Sequence, residues 1–253
     1  MGSGIVNILL IGQDRREGDP RSRSDSMILC TIQKETGKLT LTSFLRDLYV
    51  RIPGYRSNRI NAAYAAGGMP LLRETFRENF GIQLDGCIEV DFLQFSRLID
   101  LVGGVEIELR QDEAETINIS CAGSLQSGHQ RLSGEQALAY ARIRNLDADS
   151  DFSRTNRQRK ILAALLNSAR DLSIPDALTL MGELIPMIST DIKEARLLLY
   201  CAQLLPVLPR ITLASQRIPA EGCYTAENID GMSVLVADME ATRKLLQDTL
   251  SAE

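Results

Sequence analysis

Apolar residues dominate three short early runs, Val6–Ile11, Ser26–Gln33 and Leu39–Phe44, each bounded by polar turn residues. Such runs predict strands. Lys34–Lys38 reads as a turn, which makes the second and third runs an antiparallel hairpin. Gly12–Ser24, between the first two, is a polar loop rich in Gly, Pro and Arg. Further on the period changes. Pro70–Phe80 opens with proline and carries Leu71, Leu72 and Phe76 at helical spacing, so it predicts a helix. Cys87–Val90 predicts a short strand. Phe92, Phe95, Leu98, Ile99 and Val102 predict a second helix, stopped by Gly103-Gly104. Val105–Leu109 predicts another strand and Gly134–Ala141 a helix. Arg154–Asp171, Asp176–Ile188 and Lys193–Leu205 predict three more helices, Arg210–Ile218 a late strand and Met232–Leu250 a closing amphipathic helix. No linker or composition break divides this succession. It reads as one α/β domain with a mixed sheet.

Composition narrows the function classes. The chain has 253 residues and a net charge of −5, which argues against a uniformly basic nucleic-acid surface. One histidine, His129, excludes a histidine-rich metal site. It lies in a Gly/Ser/Gln-rich segment and reads as a surface loop residue. Of the 28 basic residues 23 are Arg and 5 are Lys. No run reaches the roughly 18–20 apolar residues that span a bilayer, and no signal peptide is present. Met1–Gly4 reads as an expression scar joined to a trimmed domain over 5–253. The cysteines Cys30, Cys87, Cys121, Cys201 and Cys223 form no CxxC pair, so a zinc site is not expected. Cys30 and Cys87 read as core. Cys121 and Cys223 lie in turn-like segments, where a disulfide between them or two free thiols both fit. The Gly67-Gly68 and Gly103-Gly104 pairs lack nucleotide-binding spacing.

Four segments carry candidate chemistry. Asp14 follows the first strand and Asp25 directly precedes the second. If the two strands are neighbours, both carboxylates return to one sheet edge, where they suit a hard divalent ion such as Mg²⁺; loop-capping aspartates fit the same spacing. The stretch 142–160 holds six basic and three acidic residues. Arg142 and Arg144, two apart in an extended stretch, face one side. At about 100° per residue, Arg154 and Gln158 fall on the apolar stripe of Ile161, Leu162, Leu165, Leu166 and Ala169, Arg159 at its margin, and Lys160 away from it. An inward-facing Arg and Gln at a helix start suggest a polar pocket at an end that attracts anions; a solvated basic helix start is the alternative. Arg46 stands just past the third strand, in Ser43-Phe44-Leu45-Arg46-Asp47, and Arg59 opens Arg59-Ile60-Asn61-Ala62-Ala63-Tyr64.

Taken in order, these segments resemble the LytR-CpsA-Psr family. The blocks are Asn7–Arg15, Arg23–Ser26, Ser43–Asp47, Arg59–Tyr64, Leu132–Arg144 and Asp151–Gln158, spanning most of residues 5–170. The resemblance implies an α/β/α fold with a mixed central sheet and a hydrophobic pocket for a polyprenyl pyrophosphate carrier. It implies phosphotransfer at the outer face of the cell membrane. A glycopolymer, such as wall teichoic acid or capsule, would move from its carrier to peptidoglycan as a phosphodiester, with Mg²⁺ as cofactor. A membrane anchor usual in the family is missing from this sequence. Carried over by position, Asp14 and Asp25 match the Mg²⁺-associated carboxylates, with Asp14 the candidate base. Arg46, Arg142, Arg144 and Arg154 match the pyrophosphate-binding arginines, with Arg46 and Arg144 expected to be catalytic. Arg15, Asp151 and Gln158 match supporting positions. Leu45 replaces the commoner proline, and Arg59 the commoner lysine. A non-catalytic lipid-pyrophosphate binder and a pyrophosphatase are the alternative activities. A nucleic-acid partner is not expected.

Overall fold

In a computed structural model, residues 4–13, 24–147, 150–170 and 172–250 are described. The first strand, β1 (Ile5–Gln13), pairs antiparallel with β2 (Ser24–Gln33), and β2 pairs antiparallel with β3 (Lys38–Phe44). The hairpin expected from the Lys34–Lys38 turn is present. The β1–β2 ladder runs on to a Gln13–Ser24 pair after a register shift at Gly12/Gln13. Asp25 therefore lies inside β2, where the sequence pattern had placed it just before the strand. Burial is nearly continuous along these strands, as in a sheet covered on both faces.

Two short strands follow, β4 (Tyr49–Val50) and β5 (Asn58–Arg59), paired with each other. They lead into α1 (Ile60–Phe80), which starts ten residues before the expected Pro70. The helix is broken at Gly68, at φ 64° and ψ −153°, a conformation open essentially only to glycine. Pro70 then opens the second helical segment, where its missing N–H does no harm. Strand β6 (Gly86–Asp91) completes this part of the chain.

A second compact unit spans residues 91–188. It comprises α2 (Phe92–Leu101), β7 (Val105–Leu109), α3 (Gln111–Cys121), β8 (Gly128–Leu132), α4 (Gly134–Arg142), α5 (Ser150–Arg170) and α6 (Ile174–Leu184). Neither α3 nor β8 was legible in the hydrophobic pattern. Within α3 the buried apolar positions are few, Ala114 and Ile117, and β8 buries only Leu132. His129 lies in β8 opposite Glu108, not in a loop, and is exposed. The core of this unit gathers Ile99, Val105, Ile107, Ile117, Leu132, Tyr140 and Ile161.

The chain then returns to the first unit, residues 1–90 and 189–253, with β9 (Ser189–Thr190), α7 (Glu194–Leu204), β10 (Thr212–Ile218), β11 (Tyr224–Ile229), β12 (Met232–Ala237) and α8 (Met239–Leu250). The six-stranded sheet has the order β10-β3-β2-β1-β6-β9. Since β10 runs parallel to β3, the sheet is mixed and the protein is α/β, as expected. The expected closing helix is half strand: Met232–Ala237 pairs with Tyr224–Ile229 around Asp230-Gly231, both at positive φ, the Asp-Gly signature of a tight hairpin. Helices α1 and α8 pack on β2 and on each other. Phe76 and Phe80 of α1 cluster with Phe44 of β3, ring centroids 4.6–5.4 Å apart, Phe76 meeting each of the other two edge to face. All five cysteines are free thiols, so no Cys121–Cys223 disulfide forms. Cys87 is fully buried, and burial pushes its thiol up to about 12. No helix among the described residues is long and apolar enough to cross a membrane.

Candidate functional site

In the sheet-bearing unit, candidate residues gather where β2 begins and β3 ends. Arg46 leaves β3 and places Nη1 2.8 Å from Asp25 Oδ1. Its Nε lies 3.5 Å from Asp47 Oδ2, and Asp47 Oδ1 accepts from Arg59 Nη1 at 3.0 Å. Two carboxylates and two guanidiniums thus alternate in a chain, each about a quarter exposed. The backbone holds this turn firmly. Leu45 N–H donates to the Ile218 carbonyl at 2.9 Å, Leu48 N–H to that of Leu45 at 3.1 Å, and Leu235 N–H to that of Asp47 at 2.9 Å. A proline at 45 could not make the first of these bonds, so leucine does not loosen the Arg46 turn. Close by in sequence, Tyr64 donates to Glu89.

In the unit of residues 91–188, candidate residues gather between α4 and α5. Ser133 caps α4, and Gln136 completes a capping box. Arg142 is the last residue of this helix, so it is not in the extended stretch that the spacing suggested. Ile143 then turns extended, at φ −57° and ψ 125°, and is buried. Arg142 and Arg144 flank it and both are exposed. The Arg142 guanidinium stacks 4.7 Å from the Phe92 ring centroid. Arg154 is 3% exposed and lies 3.1 Å from Asp151. Gln158, one turn on, is half-buried and Lys160 exposed, which the helical angle anticipated. Arg159 is also buried, beyond its expected margin.

Sequence reasoning missed the ion network beneath these residues. Arg157 is buried and binds Glu113 at 2.8 Å and also Asp147. Arg110 reaches Asp147 at 2.9 Å and Asp112 at 3.0 Å. Burial alone would raise the Asp147 carboxyl, but hydrogen bonds from Arg157 and Arg110 outweigh it and hold it below its usual range. Burial and the facing Glu113 carboxylate push the Tyr140 phenol up. Arg157 stands four residues before Ile161, a spacing that puts it on the same helix face; that was the available signal. Asp47 was quoted with its motif but its bridge to Arg59 was not anticipated.

Asp14 and Arg15 lie outside the described residues. Among those described, no group of three or more His, Cys, Asp or Glu side chains is arranged to hold a metal. Asp25 offers a hard oxygen donor of the type Mg²⁺ takes, with its Oδ1 bonded to Arg46. A cavity of about 540 Å³ lies elsewhere, lined by Arg73, Arg77, Ile82, Gln83 and Asp191 among others, and no predicted site residue lines it.

Fold and site together define a mixed-sheet α/β protein that presents arginines, several paired with carboxylates, at the ends of its elements. The chain belongs to the LytR_cpsA_psr family, whose model matches residues 2–250. It is 38% identical over 164 residues to the Regulatory protein MsrR of Staphylococcus aureus (strain COL), covering 64% of this chain and 48% of that protein. It is 36% identical over 195 residues to the Polyisoprenyl-teichoic acid--peptidoglycan teichoic acid transferase TagU of Oceanobacillus iheyensis, covering 74% of this chain and 58% of that protein. The chain thus spans about half the length of the curated relatives it matches. A solved structure of TagT bound to LIIa-WTA superposes with a TM-score of 0.79 at 26% identity, over 100% of this chain and 94% of that one.

Proposed function

We propose that this protein transfers a glycopolymer from a polyprenyl pyrophosphate carrier to peptidoglycan, forming a phosphodiester at the outer face of the cell membrane. The observation that carries the reading is where the arginines stand: Arg46 past β3, Arg142 at the end of α4, Arg144 just past it, and buried Arg154 in the first turns of α5. A family relative named as a teichoic acid transferase and another, TagT, solved bound to LIIa-WTA support the substrate class.

A pyrophosphate diester repels an incoming hydroxyl with two negative charges. Guanidiniums neutralise that charge, bind phosphate oxygens bidentately and never deprotonate. Arg46 and Arg144 are assigned to stabilise charge on the transferring phosphate, with Arg142 and Arg154 binding the pyrophosphate. Arg15, Arg59, Asp151 and Gln158 support them. The acceptor hydroxyl attacks the sugar-side phosphorus, and polyprenyl phosphate leaves. Asp14 is the candidate to accept the hydroxyl proton. Asp14 and Asp25 would hold Mg²⁺, which supplies further charge neutralisation at the phosphates. Beyond Arg154 and Gln158, the same face of α5 continues into Ile161 and half-buried Leu162, Leu165 and Leu166, a polar-to-apolar order that suits a lipid pyrophosphate.

The test is incubation of the protein with a lipid-linked glycopolymer, Mg²⁺ and peptidoglycan fragments. A new phosphodiester with release of polyprenyl phosphate is expected. A relative named as a regulatory protein favours a second reading, a lipid-pyrophosphate binder without turnover; on that reading the chain binds the carrier in this assay and makes no phosphodiester. Polyprenyl phosphate released without acceptor would mark a pyrophosphatase instead.

A further inference from the structure

Arg157 sends bonds in three directions from a buried position. Its Nε donates to Glu113 Oε1 at 2.8 Å, its Nη1 to the Ile143 carbonyl at 3.2 Å, and its Nη2 to Asp147 Oδ2. Ile143 and Asp147 bracket the segment that carries Arg144. From the solvent side, Arg110 Nη1 takes the other Asp147 oxygen at 2.9 Å, while its Nε and Nη2 grip Asp112, each at 3.0 Å. The Arg157 guanidinium also lies 5.9 Å from the Tyr140 ring centroid.

We infer that Arg157 is a positioning residue for Arg144, holding Ile143 and Asp147 on either side of it and so fixing where the Arg144 guanidinium is presented. The inference rests on the reading of Arg144 as a pyrophosphate ligand, and adds how that ligand is held. Arginine fits the task because its planar fork spreads donors over three separate nitrogens, one for each acceptor, whereas the three donors of lysine sit on a single atom. Glu113, itself buried, balances the charge that the clamp brings inside. A segment held at Ile143 and at Asp147 leaves Arg144 less freedom to lose on binding.

A double-mutant cycle separates positioning from general stability. Calorimetric titration with farnesyl pyrophosphate is carried out on the wild-type chain, Arg144→Ala, Asp147→Ala, the double variant and Arg157→Lys, each checked by thermal melting. Asp147 is suitable for truncation because it is partly exposed and leaves the Arg157–Glu113 pair intact. Arg144→Ala is expected to weaken binding about tenfold, the loss of a hydrogen bond to a charged group. Asp147→Ala is expected to weaken it less, and to add nothing in the Arg144→Ala background. Arg157→Lys should follow Asp147→Ala. Equal losses from Asp147→Ala in both backgrounds overturn the inference, as does unchanged binding by Asp147→Ala or Arg157→Lys while the wild type binds. Failure of the wild-type chain to bind overturns the functional reading itself, and the inference with it.

Discussion

Arg46 stands between two carboxylates, Asp25 and Asp47. These pairs keep about a quarter of their surface in water, and the screening this allows holds their contribution to stability to about 1 kcal/mol, so their arrangement serves presentation of charge more than folding. Arg46→Ala is therefore expected to melt close to the wild type while losing glycopolymer transfer by roughly two orders of magnitude or more, the scale of removing one charge-stabilising donor. Full transfer by that variant would remove Arg46 from the site. Position along an element was readable for Arg46 and for Arg154, because strand ends and helical angles follow from local periodicity. The Arg46–Asp47–Arg59 chain was not, because it joins the turn after β3 to β5, 12 residues further along. Arg157 shows the same limit: its face was readable, but its partners Glu113 and Asp147 lie 44 and 10 residues away.

At the scale of elements, α4 depends on a close approach. A Cβ at Gly134 would stand 2.0 Å from the Ser96 carbonyl oxygen, while Gly134 N–H donates to Asp100 at 2.7 Å. Gly134→Ala must push α4 from α2 and is expected to cost about 1–3 kcal/mol, read as a lower denaturation midpoint. Because Arg142 ends α4, transfer should fall with it. The α4–α5 connection also gives the protein an acid limb. The folded Asp147 carboxyl titrates below its usual 3.8, so its contribution is complete above that pH and is lost as pH falls through the lowered value. Asp147→Asn should reduce stability at neutral pH and flatten the acid side of a melting-temperature profile. An unchanged acid limb would place the linkage on other carboxylates. Besides the two-residue strands β4, β5 and β9, too short for any period to show, the elements missed in the pattern are α3, β8 and the β11–β12 hairpin, which have few buried apolar positions or a turn signal, Asp230-Gly231, set inside an apparently helical run.

For the whole molecule, a net charge of −5 coexists with the exposed guanidiniums of Arg142 and Arg144. A ligand that binds only the folded chain raises its melting temperature by mass action. Farnesyl pyrophosphate is expected to raise it in the wild type, and Arg46→Ala and Arg144→Ala should each diminish the rise. A rise undiminished in both variants would move the ligand away from these arginines.

The amino-acid sequence by itself determined five of the six strands of the sheet, β9 being the exception, most of the helices, the inward face of Arg154 and the family, because each is written in local periodicity or in ordered motifs. Only the tertiary structure decided that Asp25 lies within β2, that Asp47 joins Arg46 to Arg59, and that Arg157 grips both ends of the Arg144 segment. Those contacts link residues distant in the chain. Their geometry follows from strand register and packing, which no local pattern encodes.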